Sequence, residues 1–362
     1  MSAPAGFVWD PRLASHVYRS DHPLKPWRLQ GVHDTLERLG AFRNPNARLL
    51  QPRLATRPEL ERIHDPGYVD AIAQASADPD LDYSAWGLSA WGDTPPFAGM
   101  HEASLLTTGA SLVAMEDVIA GKARVAFNGA GGLHHAMRRN ASGFCIYNDP
   151  AIVCRVLADR GMKVAYVDID AHHGDGVQAA FYDSDQVLTI SLHEYGIIPR
   201  LGRPFFPGTG SADERGTGDG AGYSINVALP PYTDDLAYMR AFDEVVPILL
   251  ERFRPDILVT QQGIDPHFTD PLTDLQISTH AREDVMRWFA STPYPWIAMG
   301  GGGYDLDAVR RTWSMEYLIM LGAPVPEALH DDDPPVLGGR ARTAVDTATD
   351  QATSEALAAA FR

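Results

Sequence analysis

The stretch Val164-Ala165-Tyr166-Val167-Asp168-Ile169-Asp170-Ala171-His172-His173-Gly174-Asp175 constrains this chain more than any other, because an apolar run of strand composition passes directly into carboxylates and imidazoles. Such groups at the end of a buried strand are costly unless they are paired or bind an ion. In a parallel sheet, ligands bind in the crevice beyond the carboxyl ends of the strands, so Asp170 and His172 stand where a cation would sit. Carboxylate oxygen together with neutral imidazole nitrogen suits Zn2+ or Fe2+.

Short apolar, β-branched runs at 124–128, 187–192, 223–229, 257–261 and 296–299 read as further strands, alongside 164–170. Helix-like stretches at 149–160 and 236–253 separate several of them, so the order predicts an α/β domain with a mostly parallel sheet. Another helix follows His22-Pro23-Leu24-Lys25-Pro26: Leu29, Val32, Leu36 and Leu39 recur at three-to-four spacing, and Gly40 stands at the C-cap. Pro/Gly-rich segments at 200–222 and 265–273 are loops long enough to be functional. No internal repeat is present. A single domain over residues 1–325 is expected. The acidic, Ala/Pro/Thr-containing tail at 326–362 holds a last surface helix or stays partly disordered.

A formal net charge of −17 argues against a nucleic-acid partner, since phosphate binding needs clustered Lys and Arg, and it would mildly attract cationic substrates. Cys145 and Cys154 are too few for a disulfide framework, which points to a reducing cytoplasm. Residues 1–11 lack the basic and apolar regions of a leader, and no run is apolar enough to span a bilayer, so no membrane association is expected.

Three other strand ends carry polar groups toward the same rim: Gly131-Gly132-Leu133-His134-His135, then Asp265 and Asp270, then Gly300-Gly301-Gly302-Gly303-Tyr304. Singly, each has a structural explanation. Together, at corresponding ends of parallel strands, they point to one site. A phosphate-cradling role for the glycines between 208 and 222 fails, because the GxxxxGK[ST] order is missing and Asp213, Glu214 and Asp219 would repel phosphate. There is no GxSxG elbow for a serine hydrolase, and Cys145 reads as a packing residue.

These residues resemble the histone deacetylase superfamily, in particular its class I-like bacterial branch of acetoin-utilisation-type deacetylases. The resemblance runs from about His22 to Leu321 and is carried by the motifs quoted above together with Ala141-Ser142-Gly143-Phe144-Cys145 and Phe206-Pro207-Gly208-Thr209-Gly210. It implies a three-layer, arginase-like α/β fold with long loops at the C-terminal edge of the sheet, and hydrolysis of acetyl-lysine-type amides. By motif position it makes Asp170, His172 and Asp270 the ligands of Zn2+ or Fe2+. It pairs His134 with Asp168 and His135 with Asp175, with His135 as general base and acid, and gives Tyr304 the polarisation of the carbonyl.

The same resemblance places Gly143, Phe144 and Phe206 in the walls of a narrow acyl-lysine tunnel, Asp93 at its rim holding substrate backbone, and Arg28 beside a pocket for released acetate. It also implies two structural K+ or Na+ sites, one at Asp170 and Ser191, the other at Phe181, Val187 and Tyr223. Polyamine-specific relatives carry a glutamate at the tunnel mouth. The corresponding position here is read as Ile277, which favours acetylated proteins or peptides over small acetylated amines such as acetylpolyamines. A ureohydrolase of the same fold is the rival reading, and it would need a second metal and no carbonyl-polarising tyrosine. The chain departs from the pattern in extra length at 197–203, in Gln262, and in Ile264 and His267 around the third ligand.

Overall fold

The structure, a computed structural model, describes residues 4–15, 18–198 and 201–361. Met1, Ala3 and Arg362, at the ends of the expected domain and tail, and Pro199 and Arg200, in the extra length at 197–203 and the predicted loop, lie outside the described residues.

The strands are β1 (Ala5–Val8), β2 (Ala47–Leu50), β3 (Val125–Asn128), β4 (Val164–Asp168), β5 (Val187–Glu194), β6 (Ile197–Ile198), β7 (Arg203–Pro204), β8 (Ser224–Leu229), β9 (Ile257–Gln261) and β10 (Trp296–Met299). Eight of them form one sheet in the order β2-β1-β3-β10-β9-β4-β5-β8, every neighbouring pair parallel, while β6 and β7 form a small antiparallel hairpin. Helices cover both faces. Strands β3, β4, β5, β9 and β10 are buried at every residue, which explains their predominantly apolar composition: a sheet covered on both sides has no solvent face to supply with charges. This is the expected α/β architecture.

The strand order brings the site together. β3, β10, β9 and β4 are consecutive neighbours, in register Asn128↔Met299, Met299↔Gln261 and Gln261↔Asp168. The four polar strand ends singled out in the sequence therefore leave the sheet side by side. Asn148 caps the following helix, Asp149–Ala158, by accepting from Ala151 N at 2.9 Å, and Asp149 in turn binds the Gly132 and Leu133 amides at 3.0 and 2.9 Å. That contact fixes the glycine turn leading into His134.

Residues Gly339–Ala359 form a helix. It packs on edge strand β8 and on helix Asp235–Phe253, with Arg240 paired to Asp346 and Asp350 at 3.0 Å each, and Arg342 paired to Asp234. The Phe361 ring then closes on Tyr223 at 5.3 Å. Among the described residues no helix is long and apolar enough to cross a membrane.

Candidate active site

The deepest point of the site is a buried cluster of Asp170, His172 and Asp265, whose ligand-type atoms all lie within 4.8 Å of one another. His172 Nδ1 is 3.1 Å from Asp170 Oδ1 and 2.9 Å from Asp265 Oδ2. The opposite oxygen of each carboxylate is oriented by its surroundings. Asp170 Oδ2 accepts from Gly302 N at 2.9 Å and Gln261 Nε2 at 2.7 Å, and Asp265 Oδ1 accepts from Ala171 N at 2.9 Å.

Glycines supply the space for this packing. A Cβ on Gly263 would lie 1.9 Å from Asp170 Oδ2, and one on Gly302 would lie 2.0 Å from Asp265 Oδ2. Burial, reinforced by the neighbouring Asp170 charge, pushes Asp265 up to about 6, so the cluster favours an added positive charge. Two carboxylates and one imidazole, converging with an open side, fit a Zn2+- or Fe2+-type ion.

The third member corrects the expectation. Asp270 does not belong to the cluster: its Oδ1 accepts from Leu272 N at 3.0 Å and its Oδ2 from Tyr304 N at 2.7 Å, so both oxygens are taken up in holding the loop and the backbone of Tyr304. Asp265 takes its place because it follows the end of β9 directly and reaches over β4, whereas Asp270 comes after the intervening turn. The sequence signal was Gly263-Ile264-Asp265, an acid just past a buried strand.

Beside the cluster, His134 Nδ1 is 2.7 Å from Asp168 Oδ2, which also accepts from the Tyr166 hydroxyl at 2.7 Å, and His135 Nδ1 is 2.7 Å from Asp175 Oδ1. The two rings meet through their Nε2 atoms at 3.0 Å. Burial opposes charge on both. For His134 the nearby Asp168 and Asp170 carboxylates outweigh burial and raise it to about 9, whereas for His135 burial and the His134 charge prevail and lower it. A charged imidazole thus donates to a neutral one, whose own Nδ1–H is held by Asp175.

Above these groups opens a cavity of about 390 Å³. Phe206 stands edge-on to His135 with ring centres 5.0 Å apart, Phe205 stacks on His172 at 4.9 Å, and Phe144 meets Tyr304 at 5.7 Å. Gly143 is required at this wall, because with φ at +53° its Cβ would fall 2.3 Å from His135 Cδ2. Asp93 lines the mouth and accepts from Gly143 N at 3.0 Å. Behind the wall, Arg28 donates to the Gly303 and Gly301 carbonyls at 2.6 Å each and borders a chamber of about 70 Å³.

Ile277 does not reach this cavity. It is buried in the core, its amide bound to Pro266 O at 3.0 Å, and the residue of the 270–277 segment that lines the cavity is Leu272. The polar bonding of the loop, invisible in sequence, turns 277 inward. Of the residues expected at cation sites, Ser191 pairs across the sheet with Asp168, and its Oγ lies 2.9 Å from His193 Nδ1. The Phe181 carbonyl accepts from Ser184 N at 3.0 Å and the Tyr223 carbonyl from Thr189 N at 2.9 Å, while Val187 opens β5 between them.

The family described as histone deacetylase domain matches residues 22–320. This chain belongs to the histone deacetylase family. It is 39% identical over 325 residues to the acetoin utilization protein AcuC of Bacillus subtilis, covering 87% of this chain and 82% of that protein. Histone deacetylase clr6 of Schizosaccharomyces pombe is 33% identical over 329 residues, covering 90% and 79% of the two chains. AcuC of Staphylococcus xylosus is 34% identical over 335 residues, covering 90% and 85%. Membership of the histone deacetylase family makes the chain a deacetylase, an enzyme of the hydrolase class.

Several residues of this deacetylase site escaped the sequence reading. Gln261 and Tyr166 lie inside strands, where nothing in the pattern separates a site residue from a core one. Phe205, Arg203 and Ile198 belong to the hairpin and its exit, and only the extra length at 197–203 marked them.

Proposed function

We propose that this deacetylase removes the acetyl group from acetyl-lysine in proteins or peptides, using one divalent ion, Zn2+ or Fe2+, held by Asp170, His172 and Asp265. The observation that carries the reading is the meeting of three ligand-type atoms within 4.8 Å at the foot of a cavity that His135 and Tyr304 also line. When bound, such an ion supplies Lewis acidity toward the amide carbonyl and lowers the pKa of water.

The chain's own groups do the rest. Neutral His135 carries its lone pair on Nε2 because Asp175 holds the Nδ1–H tautomer, and it accepts a proton from water there once water replaces His134 as the donor to that nitrogen. Charged His134 supports the negative charge developing beside it, and the Tyr304 hydroxyl donates to the carbonyl oxygen. His135 then returns its proton to the leaving amine, so no covalent enzyme intermediate is needed. Phe144 and Phe206 flank the aliphatic stem and exclude water, Asp93 accepts substrate backbone N–H groups, and released acetate leaves by the chamber at Arg28. K+ or Na+ at Asp170 and Ser191, and at Phe181, Val187 and Tyr223, would brace the ends of β4 and β5.

Leu272 adds no carboxylate to the one Asp93 brings, and Arg203 in the same lining would repel a distant ammonium, which favours acetyl-lysine over an acetylpolyamine. A ureohydrolase reading finds no use for Tyr304. Two buried free cysteines suit a reducing cytoplasm, and the catalytic domain is assigned to 1–325 with 326–362 as an accessory tail. The test is elemental analysis together with turnover of an acetyl-lysine peptide and of N8-acetylspermidine by enzyme loaded with Zn2+ or Fe2+. Tenfold or greater preference for the polyamine would overturn the substrate assignment.

A further inference from the structure

Among the described residues, the tunnel mouth carries one acidic and one basic group. Asp93 is partly engaged: its Oδ2 accepts from Gly143 N and its Oδ1 from the neighbouring Thr94 hydroxyl, and its remaining lone pairs are those assigned to substrate backbone N–H groups. The basic group, Arg203, lines the same cavity and makes no ion pair among the described residues. The other titratable groups of the lining, His135, His172 and Tyr304, lie at the foot of the cavity.

The hairpin fixes where Arg203 points. In the antiparallel register Ile198 stands opposite Arg203, and paired side chains share a face of the ribbon. Ile198 is buried and lines the cavity, so Arg203 is held on the cavity side. The base of the hairpin is anchored as well. Phe205 N donates to Gly196 O at 2.9 Å, Gly202 N donates to Ile198 O at 2.9 Å, and the Phe205 ring stacks on His172.

We propose that Arg203 selects acetyl-lysine substrates that carry a carboxylate close to the acetylated residue, on a side chain one or two positions away in the peptide. The inference rests on the acetyl-lysine reading above and adds a preference to it. Its sign is diagnostic, because the net charge of −17 would by itself favour basic sequences. At physiological salt that field is screened beyond about 8 Å, which leaves the nearest charge to decide.

The experiment uses amidated acetyl-lysine peptides that differ only in a flanking Glu, Gln or Lys, and one Gln peptide ending in a free α-carboxylate at the acetyl-lysine. The kcat/KM values are compared at about 150 mM salt for the wild type, Arg203→Gln and Arg203→Glu. The wild type should prefer Glu over Lys by about two- to fivefold, as for an exposed ion pair. The ratio should approach one in Arg203→Gln and invert in Arg203→Glu, with the change carried by KM.

Anisotropy of the same labelled peptides on Tyr304→Phe protein should show the same order in Kd, independently of turnover. A gain confined to the free α-carboxylate peptide would overturn the side-chain assignment. Robust turnover with a flat ratio, or a ratio unmoved by Arg203→Glu, would overturn the inference while leaving the acetyl-lysine reading intact. Failure of the wild type on every peptide would overturn that reading, and this inference with it.

Discussion

His134 and His135 face each other through Nε2 atoms 3.0 Å apart, each with its other ring nitrogen on a different aspartate, Asp168 or Asp175. Because two adjacent imidazoles cannot both hold a proton at that contact, the pair divides into one charged and one neutral ring. The division assigns the roles: only the neutral ring, His135, has a lone pair to accept a proton.

The activity profile should follow. His135 lies below the ordinary imidazole value, through burial and the His134 charge, so kcat/KM should hold to more acidic pH than an exposed histidine would allow and then fall as His135 protonates. A pH–rate profile checks this. An acid limb above the ordinary histidine range would reassign the base.

The same pair predicts a stability trend in the metal-free protein. His134 is raised from 6.5 to about 9, burial being outweighed by Asp168 and Asp170, so its contribution is fully present below pH 6.5 and lost as pH rises through about 9. Thermal midpoints of metal-free wild type should therefore fall across that window, and His134→Gln should flatten the fall. An equal slope in the variant would disprove it.

Asp265→Ala should lose the metal and the activity, because two remaining ligands hold an ion poorly in an open site. Asp270→Ala should keep close to an equivalent of metal while losing stability, about 1–3 kcal/mol for the two amides left without an acceptor. Elemental analysis beside denaturant melts separates the two. Metal loss in Asp270→Ala with retention in Asp265→Ala would restore the ligand set first expected.

Tyr304→Phe should bind metal and peptide yet turn over about 100- to 1,000-fold more slowly, the usual effect of removing one oxyanion donor. A raised KM with unchanged kcat would make Tyr304 a wall of the tunnel and nothing more.

Leu272→Glu should improve kcat/KM for N8-acetylspermidine relative to an acetyl-lysine peptide, since it sets a carboxylate at the mouth. Ile277→Glu should instead unfold or markedly destabilise the protein, because it buries a charge without a partner. Matched kinetics and melting curves for the two variants decide between the positions.

What the sequence made legible follows from burial. Strands β9 and β10 were delimited to the residue because short, fully covered and mainly apolar runs stand there between Pro255-Asp256 and Gln262-Gly263, and between Pro295 and Gly300. Strands β1 and β2 were missed because Gly6 and Arg48 interrupt their apolar runs, and helix Met100–Ile119 showed no stripe because it is buried around most of its circumference. At the site, Asp170, His172 and the histidine pair were readable from their place at strand ends. Choosing between Asp265 and Asp270, or between Leu272 and Ile277, depends on which loop amide binds which oxygen, and a linear sequence carries no trace of that.

The order β3-β10-β9-β4 also bears on how the protein is made. Strands β3 and β4 are synthesised early, but they are not neighbours: β9 and β10, which emerge about a hundred residues later, must insert between them. Until that insertion, His134 and His135 follow one strand and Asp170 and His172 another, with no sheet neighbour to join the two. The nascent chain therefore holds only two of the three proposed ligands, too few to keep an ion well, and full loading waits for the completed sheet, when Asp265 and Tyr304 arrive with the last strands to join.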